Sequence, residues 1–271
     1  MPEPAGDPGP PLRWTDSHCH LQWEPDQGPS DPEGDLARAR AAGVARVVCV
    51  GTDLTTSRAG VELARQYSNV FATVGLHPHD ASRLGDEWED LVALARDGER
   101  VVAIGEAGFD LHYEHSPRDE QERAFAAQIA LAYELDRALV IHTREAWDDT
   151  FRVLDDIGVP PRTIFHCFTG GPVEAARALA IGAYVSFSGI VSFRTADDLR
   201  AAAAVVPVAS LLVETDAPFL APVPHRGRRN ESALLPVVGA ALAAARHEPV
   251  ATVAEVTDAN ATRAFALESF G

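Results

Sequence analysis

Cysteine is scarce in this 271-residue chain: Cys19, Cys49 and Cys167 are odd in number and stand at wide, unpatterned gaps. A disulfide framework is excluded, and a reducing compartment, the cytoplasm, is expected. Basic residues are short as well, with Lys+Arg 23 against Asp+Glu 40 and a formal net charge of −17. This argues against a broad electropositive surface for nucleic acid, but not against a local phosphate site built on metal ions, which carry their own positive charge. Long apolar runs are missing: the most apolar stretch, residues 201–213, is short and interrupted by Pro207 and Ser210, so no membrane span is expected. The start of the chain has acids and prolines where a signal peptide has a basic segment and an apolar run. Residues 1–12 are expected to form a disordered leader to one domain over 13–271.

The rest of the composition, 46% hydrophobic and 23% charged, is that of a globular chain able to bury a large core. Eight short runs rich in Val, Ile and Phe read as strands: residues 14–18, 46–51, 70–76, 101–106, 138–142, 163–166, 183–187 and 210–214. Between them lie segments dense in Ala, Leu, Arg and Glu, at 35–42, 58–67, 86–97, 118–135, 146–157, 173–180 and 197–204, with two more at 236–245 and 250–270. These are strong helix formers with apolar residues spaced at three and four, as where Phe125, Ile129 and Ala132 share a face. Gly43, Gly98, Gly158 and Gly182 follow helices as C-terminal caps. Continuous apolar strands alternating with helices imply a parallel sheet covered on both faces, and eight such units match a closed TIM (β/α)8 barrel. The alternative, an open doubly wound sheet, lacks its Gly-rich phosphate loop after the first strand.

Position is what makes the polar residues informative. Residues able to bind metal or phosphate stand at or just past nearly every predicted strand end: His18 and His20, His77 and His79, Glu106, His142, His166, Glu214 and Asp216. In a barrel those ends converge on one face, where active sites form. The period of two along a strand puts the imidazoles of His18 and His20 on one side and Cys19 on the other. With Glu106, His142, His166 and Asp216 they make four histidines and two carboxylates, a set suited to one or two divalent ions such as zinc, manganese or magnesium. Taken singly, each has a plain reading as a core or surface histidine or a helix-capping carboxylate; it is the shared barrel face that favours metal. His112 and His115 are expected to be solvated and His247 to sit in a turn. His225 and Arg226, with Arg228 and Arg229, are either a phosphate contact or a solvated loop, and Arg144 is a further candidate for the same cleft.

At these residues the chain resembles the TatD family of metal-dependent hydrolases. The motifs run in order from Asp16-Ser17-His18-Cys19-His20-Leu21 through Gly75-Leu76-His77-Pro78-His79 and Gly105-Glu106-Ala107-Gly108-Phe109-Asp110. They continue with Gln121 to Gln128, Ile141-His142-Thr143-Arg144, His166-Cys167-Phe168-Thr169-Gly170, Glu214-Thr215-Asp216-Ala217-Pro218 and His225-Arg226-Gly227, and span nearly the whole chain. The resemblance implies a TIM barrel of the amidohydrolase-like type, a mono- or dinuclear metal site and phosphodiesterase activity on DNA. Carried over by position, it implies metal ligation by His18, His20, Glu106, His142, His166 and Asp216, with Glu106 near both ions. Phe109, His112 and Ser232 depart from the family's pattern, and His112 puts substrate contacts near the fourth strand in doubt.

The expected function is therefore a deoxyribonuclease of exonuclease type that attacks DNA with a metal-activated water. Asp216 is the candidate general base as well as ligand, Glu106 holds the ions, and His77, Arg226 and Arg144 are candidates for substrate contact. The oligomeric state is open, and a monomer fits. Three other readings stay open: a hydrolase of amides, lactones or aminoacyl-tRNA esters, a metal-binding protein without turnover, and a structural barrel with incidental histidines.

Overall fold

Runs of Val, Ile and Ala without polar alternation can only be strands whose two faces are both covered, and the computed structural model, which describes residues 12–23 and 31–270, builds eight of them. They are β1 (Trp14–Cys19), β2 (Val44–Cys49), β3 (Val70–Val74), β4 (Val101–Asp110), β5 (Ala138–Arg144), β6 (Thr163–Phe165), β7 (Tyr184–Phe187) and β8 (Leu211–Val213). Every neighbouring pair is parallel and the sheet order is the chain order. The seam between β8 and β1 is closed by the chain just past β8, where Asp216 N–H donates to the His18 carbonyl (2.9 Å) and His20 N–H to the Ala217 carbonyl (2.7 Å). The expected leader lies outside the described residues except for its last residue, Leu12.

The crossovers are the helices α1 (Pro32–Ala41), α2 (Leu54–Gln66), α3 (Leu84–Asp97), α4 (Arg118–Glu134), α5 (Trp147–Ile157), α6 (Pro172–Ala180) and α7 (Asp197–Val205), followed by α8 (Leu235–Arg246) and α9 (Val250–Ala264). Asp53 caps α2 with both halves of a capping box, its carboxylate accepting from Thr56 N–H at 2.7 Å. One cluster of buried side chains fills the space between strands and helices. A second one comprises Val48, Val102, Val140, Ile164 and Leu212 from the strands with Ala264, Phe265 and Leu267 from the end of the chain. Alternation along β2 separates the two, with Val47 and Cys49 in the first cluster and Val48 and Val50 in the second. The end of the chain thus plugs the barrel interior, and Asn260 of α9 ties it to the start of β8 by donating to the Leu211 carbonyl at 2.7 Å.

Two departures from the sequence reading have physical causes. β4 does not stop at Glu106. Its pairing with β5 resumes after an irregularity between Ile104 and Ala107 and runs to Asp110 opposite Arg144, so Glu106 is a mid-strand residue. The last helix ends at Ala264 instead of continuing to residue 270, because Ala266 adopts a left-handed φ of 52° that turns Leu267 into the buried plug. Gly98 caps α3 as expected, its N–H donating to the Leu94 carbonyl at 2.8 Å, with an extended φ of −68° where Gly43, Gly158 and Gly182 have positive φ.

Gly239 of α8 packs against the buried indole of Trp14, and a Cβ there would stand 2.2 Å from Trp14 Cη2. Helix propensity alone would favour alanine by about 1 kcal/mol, but overpacking a rigid ring costs roughly 1–3 kcal/mol beyond that. Gly239→Ala is expected to unfold at lower urea concentration than the wild type; equal or greater stability would show that Trp14 yields without cost.

Candidate metal centre

β1 places His18 on the strand and His20 one residue past its end, with their Nε2 atoms 3.3 Å apart. The short β8 releases Asp216 just beyond its end, in the left-handed region (φ 56°) that aspartate tolerates better than most residues. Its Oδ1 lies 3.5 Å from His20 Nε2 and 3.7 Å from His18 Nε2. Glu106 rises from the irregular part of β4 into the middle of the site. Its Oε2 is 3.4 Å from His18 Nε2, while Oε1 is 2.7 Å from both His142 Nδ1 and His166 Nε2 and 3.5 Å from His77 Nε2. One carboxylate thus faces His18 through Oε2 and His77, His142 and His166 through Oε1. Three sets of side chains offer ligand atoms mutually within 4.8 Å: His18, His20 and Asp216; His77, Glu106 and His142; and His18, His166 and Glu214.

The hydrogen bonds made by the far ring nitrogens decide which imidazoles present a lone pair. His20 Nδ1 faces the Val50 carbonyl (3.0 Å), so the proton sits there and Nε2 is free towards Asp216. His166 Nδ1 faces Glu214 Oε1 (3.2 Å), leaving Nε2 free towards Glu106. His142 is turned the other way: Nδ1 points inward at Glu106, while Nε2 lies 3.4 Å from Asp110 Oδ2 as an ion-pair contact without hydrogen-bond geometry. His77 differs from all three. Its Nδ1 accepts the backbone N–H of His79 (3.1 Å), which puts the proton on Nε2 and makes the inward-facing atom a donor. Despite its place among the groups of nearby ligand atoms, His77 suits a substrate contact better than a metal bond.

Burial alone would push the Glu106 carboxyl up, but His166, His77 and His142 override it and hold it well below the usual carboxylate range. Burial likewise opposes protonation of His166, yet Glu106 and Glu214 raise it well above an ordinary imidazole. For His77 burial wins, and the ring is pushed down to about 4, neutral at physiological pH. Burial would raise Asp216 too, but its hydrogen bond with His20 and the charge of His18 hold it below its usual value. Lone pairs and carboxylate oxygens pressed together in this way repel one another unless a cation or shared protons lie among them, and His18 Nδ1, His142 Nε2 and Glu214 Oε2 are buried with no hydrogen-bond partner among the described residues. The donor set is mixed nitrogen and oxygen, which fits a divalent ion.

The six expected metal residues, His18, His20, Glu106, His142, His166 and Asp216, therefore meet at one end of the barrel. Arg144 and Arg226 do not enter the cluster; their guanidinium groups lie over the rings of Tyr113 (4.6 Å) and Phe193 (3.7 Å). Arg229 is taken up by Asp35 (3.0 Å), which reduces the expected basic island. His112 and His115 are exposed as expected, and His247 caps α8 with a φ of 55°. Sequence reasoning missed Asp110, which receives His79 at 2.9 Å and faces His142. Its motif was visible, but ending β4 at Glu106 removed it from the face. Also missed was the role of Glu214, wholly buried, as the partner of His166 and of the Cys167 N–H (2.8 Å).

Eight parallel strands with imidazoles and carboxylates gathered at one mouth define a metal-dependent hydrolase barrel. The family model described as TatD related DNase matches residues 15–266. The chain is 37% identical over 253 residues to YabD of Bacillus subtilis (strain 168), named an uncharacterized metal-dependent hydrolase, covering 93% of this chain and 98% of that protein. It is 40% identical over 241 residues to the 3'-5' ssDNA/RNA exonuclease TatD of Cronobacter sakazakii, covering 87% and 92%. The crystal structure of YJJV, a TatD homologue from Escherichia coli K12, superposes with a TM-score of 0.87 at 30% identity, covering 94% of this chain and 98% of that one. The chain belongs to the TatD family.

Elemental analysis of the purified protein is expected to find bound divalent metal. Exhaustive chelation should lower the thermal midpoint, and re-addition should restore it, because the ion separates groups that otherwise repel. Glu106→Gln should lower metal affinity by at least about tenfold; an unchanged affinity would remove Glu106 from the site.

Proposed function

We propose that this protein is a metal-dependent nuclease that hydrolyses phosphodiester bonds at the ends of nucleic-acid strands, with DNA as substrate. The observation that carries the chemistry is the single carboxylate, Glu106, facing His18 through one oxygen and His142 and His166 through the other. The substrate follows the activity named for the Cronobacter relative, and the 3'-to-5' direction is proposed on the same ground. His18, His20 and Asp216 would hold one divalent ion and Glu106, His142 and His166 a second, with Glu106 shared. A site this rich in imidazole favours zinc or manganese over magnesium. When bound, such ions supply an activated water and a Lewis acid at the phosphoryl group.

The chain's own residues do the rest. Asp216 stands at the edge of the cluster, 3.5 Å from His20, where its carboxylate would orient the attacking water and receive its proton. His77, neutral and carrying its proton on Nε2, donates to a phosphate oxygen or to the leaving oxygen without adding a buried charge. Glu214 and Asp110 hold the rings of His166 and His142 in the orientation that presents their free nitrogens. Arg144 and Arg226 are proposed to meet neighbouring phosphates. Three free cysteines favour the cytoplasm as the place of work; among the described residues no helix is long and apolar enough to cross a membrane.

End-labelled single-stranded DNA should be shortened stepwise with Mg²⁺ or Mn²⁺, and Asp216→Asn should slow this by at least about a hundredfold while leaving the fold intact. Intact DNA in the presence of bound metal would redirect the search to ester and amide bonds. His77→Ala is expected to keep its metal and lose turnover; loss of metal would make His77 a ligand instead of a donor.

A further inference from the structure

Two groups of aromatic rings stand at the rim of the metal cluster, and neither the packing of the barrel nor the chemistry above employs them. On the β8–β1 side, Phe219 is 43% exposed, with its ring centroid 5.5 Å from that of Trp23 and 6.0 Å from that of His20. Trp23 itself lies 6.0 Å from His20. On the β4–β5 side, Tyr113 is 52% exposed, its plane within 4° of that of His115 and its ring 4.6 Å from the Arg144 guanidinium carbon. Tyr113 also meets His79 edge-on at 5.7 Å, and His79 bonds Asp110 beside His142. In an eight-stranded ring whose spatial order is the chain order, the β8–β1 and β4–β5 pairs stand opposite each other, so the metal cluster lies between the two groups. Exposed aromatics scattered singly need no explanation. These are not scattered, since each group touches a histidine at the site.

Charge gives the rings a task. The chain carries a net charge of −17 and contains no lysine, so its cations are arginines. The two arginines expected near substrate, Arg144 and Arg226, both lie over aromatic rings. Such a surface has little with which to neutralise a phosphate backbone, whereas every unpaired base offers a face for stacking.

Building on the nuclease reading, we propose that Phe219 with Trp23, and Tyr113 with Arg144, are stacking subsites that hold unpaired bases on either side of the phosphodiester at the metal cluster. Grip then comes from base–aromatic contact, and bases already stacked in a duplex cannot engage it.

The test is steady-state cleavage of single-stranded and duplex DNA by the metal-loaded protein. Phe219→Ala and Tyr113→Ala should each raise KM for single strands about tenfold with kcat nearly retained, and change duplex cleavage little. Phe219→Tyr should restore KM, while Phe219→Leu, which keeps apolar bulk but no π face, should not. Melting temperature and metal content, measured on each variant, separate this from misfolding. With Arg144, Arg226 and the exposed Arg228 as the phosphate contacts at the mouth, KM for single strands should rise by no more than about twentyfold between roughly 50 and 200 mM salt. Wild-type cleavage with KM indifferent to both alanine substitutions, or a salt dependence of a hundredfold, would overturn the stacking subsites and leave the nuclease reading standing. A wild-type protein that holds metal and leaves DNA intact would overturn both.

Discussion

A carboxylate only 3% exposed and ringed by His18, His77, His142 and His166 cannot remain ionised without compensation, and Glu106 is in that position. The surrounding structure meets this constraint from several sides. The bulge in β4 turns the side chain inward, and the ends of β1, β3, β5 and β6 bring the imidazoles to it. Glu214 fixes His166 from behind, Asp110 stands behind His142, and the Val50 carbonyl fixes the neighbouring His20. Removing the charge of Glu106 would leave a cluster of mutually repelling nitrogens; keeping it requires a cation or shared protons. The stability of this end of the barrel and its capacity for metal are therefore one property.

The same residues close the barrel. The seam between β8 and β1 is made at the functional end by Asp216 N–H on the His18 carbonyl and His20 N–H on the Ala217 carbonyl, so the segment carrying Asp216 also completes the sheet. At the other end, Phe265 and Leu267 plug the interior, with α9 held by Asn260 on the Leu211 carbonyl and by Asp258 on Arg46. Apolar packing thus carries the fold at one end and leaves the other end to polar groups that face one another, the division of labour expected of barrels of this kind.

Net charge, which by itself argues against a nucleic-acid protein, constrains the manner of binding more than the choice of ligand. Affinity for phosphate need not come from a basic surface when divalent ions supply positive charge at the reacting group. Arg144 and Arg226 each lie over an aromatic ring, and Arg229 is bound to Asp35. What cationic surface the mouth has is sparse, and of its four arginines Arg228 alone is exposed without being held against a ring or a carboxylate in this way.

Hydrophobic periodicity, which depends only on local order, made the strands and helices of the described residues legible in the sequence, because each element must bury a stripe or two faces whatever its neighbours are. Histidines and carboxylates at strand ends were legible for the same reason: a parallel barrel leaves one face where such ends can meet. The extension of β4 to Asp110 was not, since glycines at 105 and 108 interrupt the apolar pattern and only pairing with β5 carries the strand through them. Nor was the end of α9, where burial of Leu267 in the plug overrides a run that reads as continuous helix. The sequence by itself determined the architecture and the chemical types assembled at its mouth. Tertiary structure alone decided which nitrogen each imidazole turns inward, and so separated His77 as a donor from His20, His142 and His166, because a tautomer is set by the hydrogen bond on the far side of the ring and that partner comes from elsewhere in the fold.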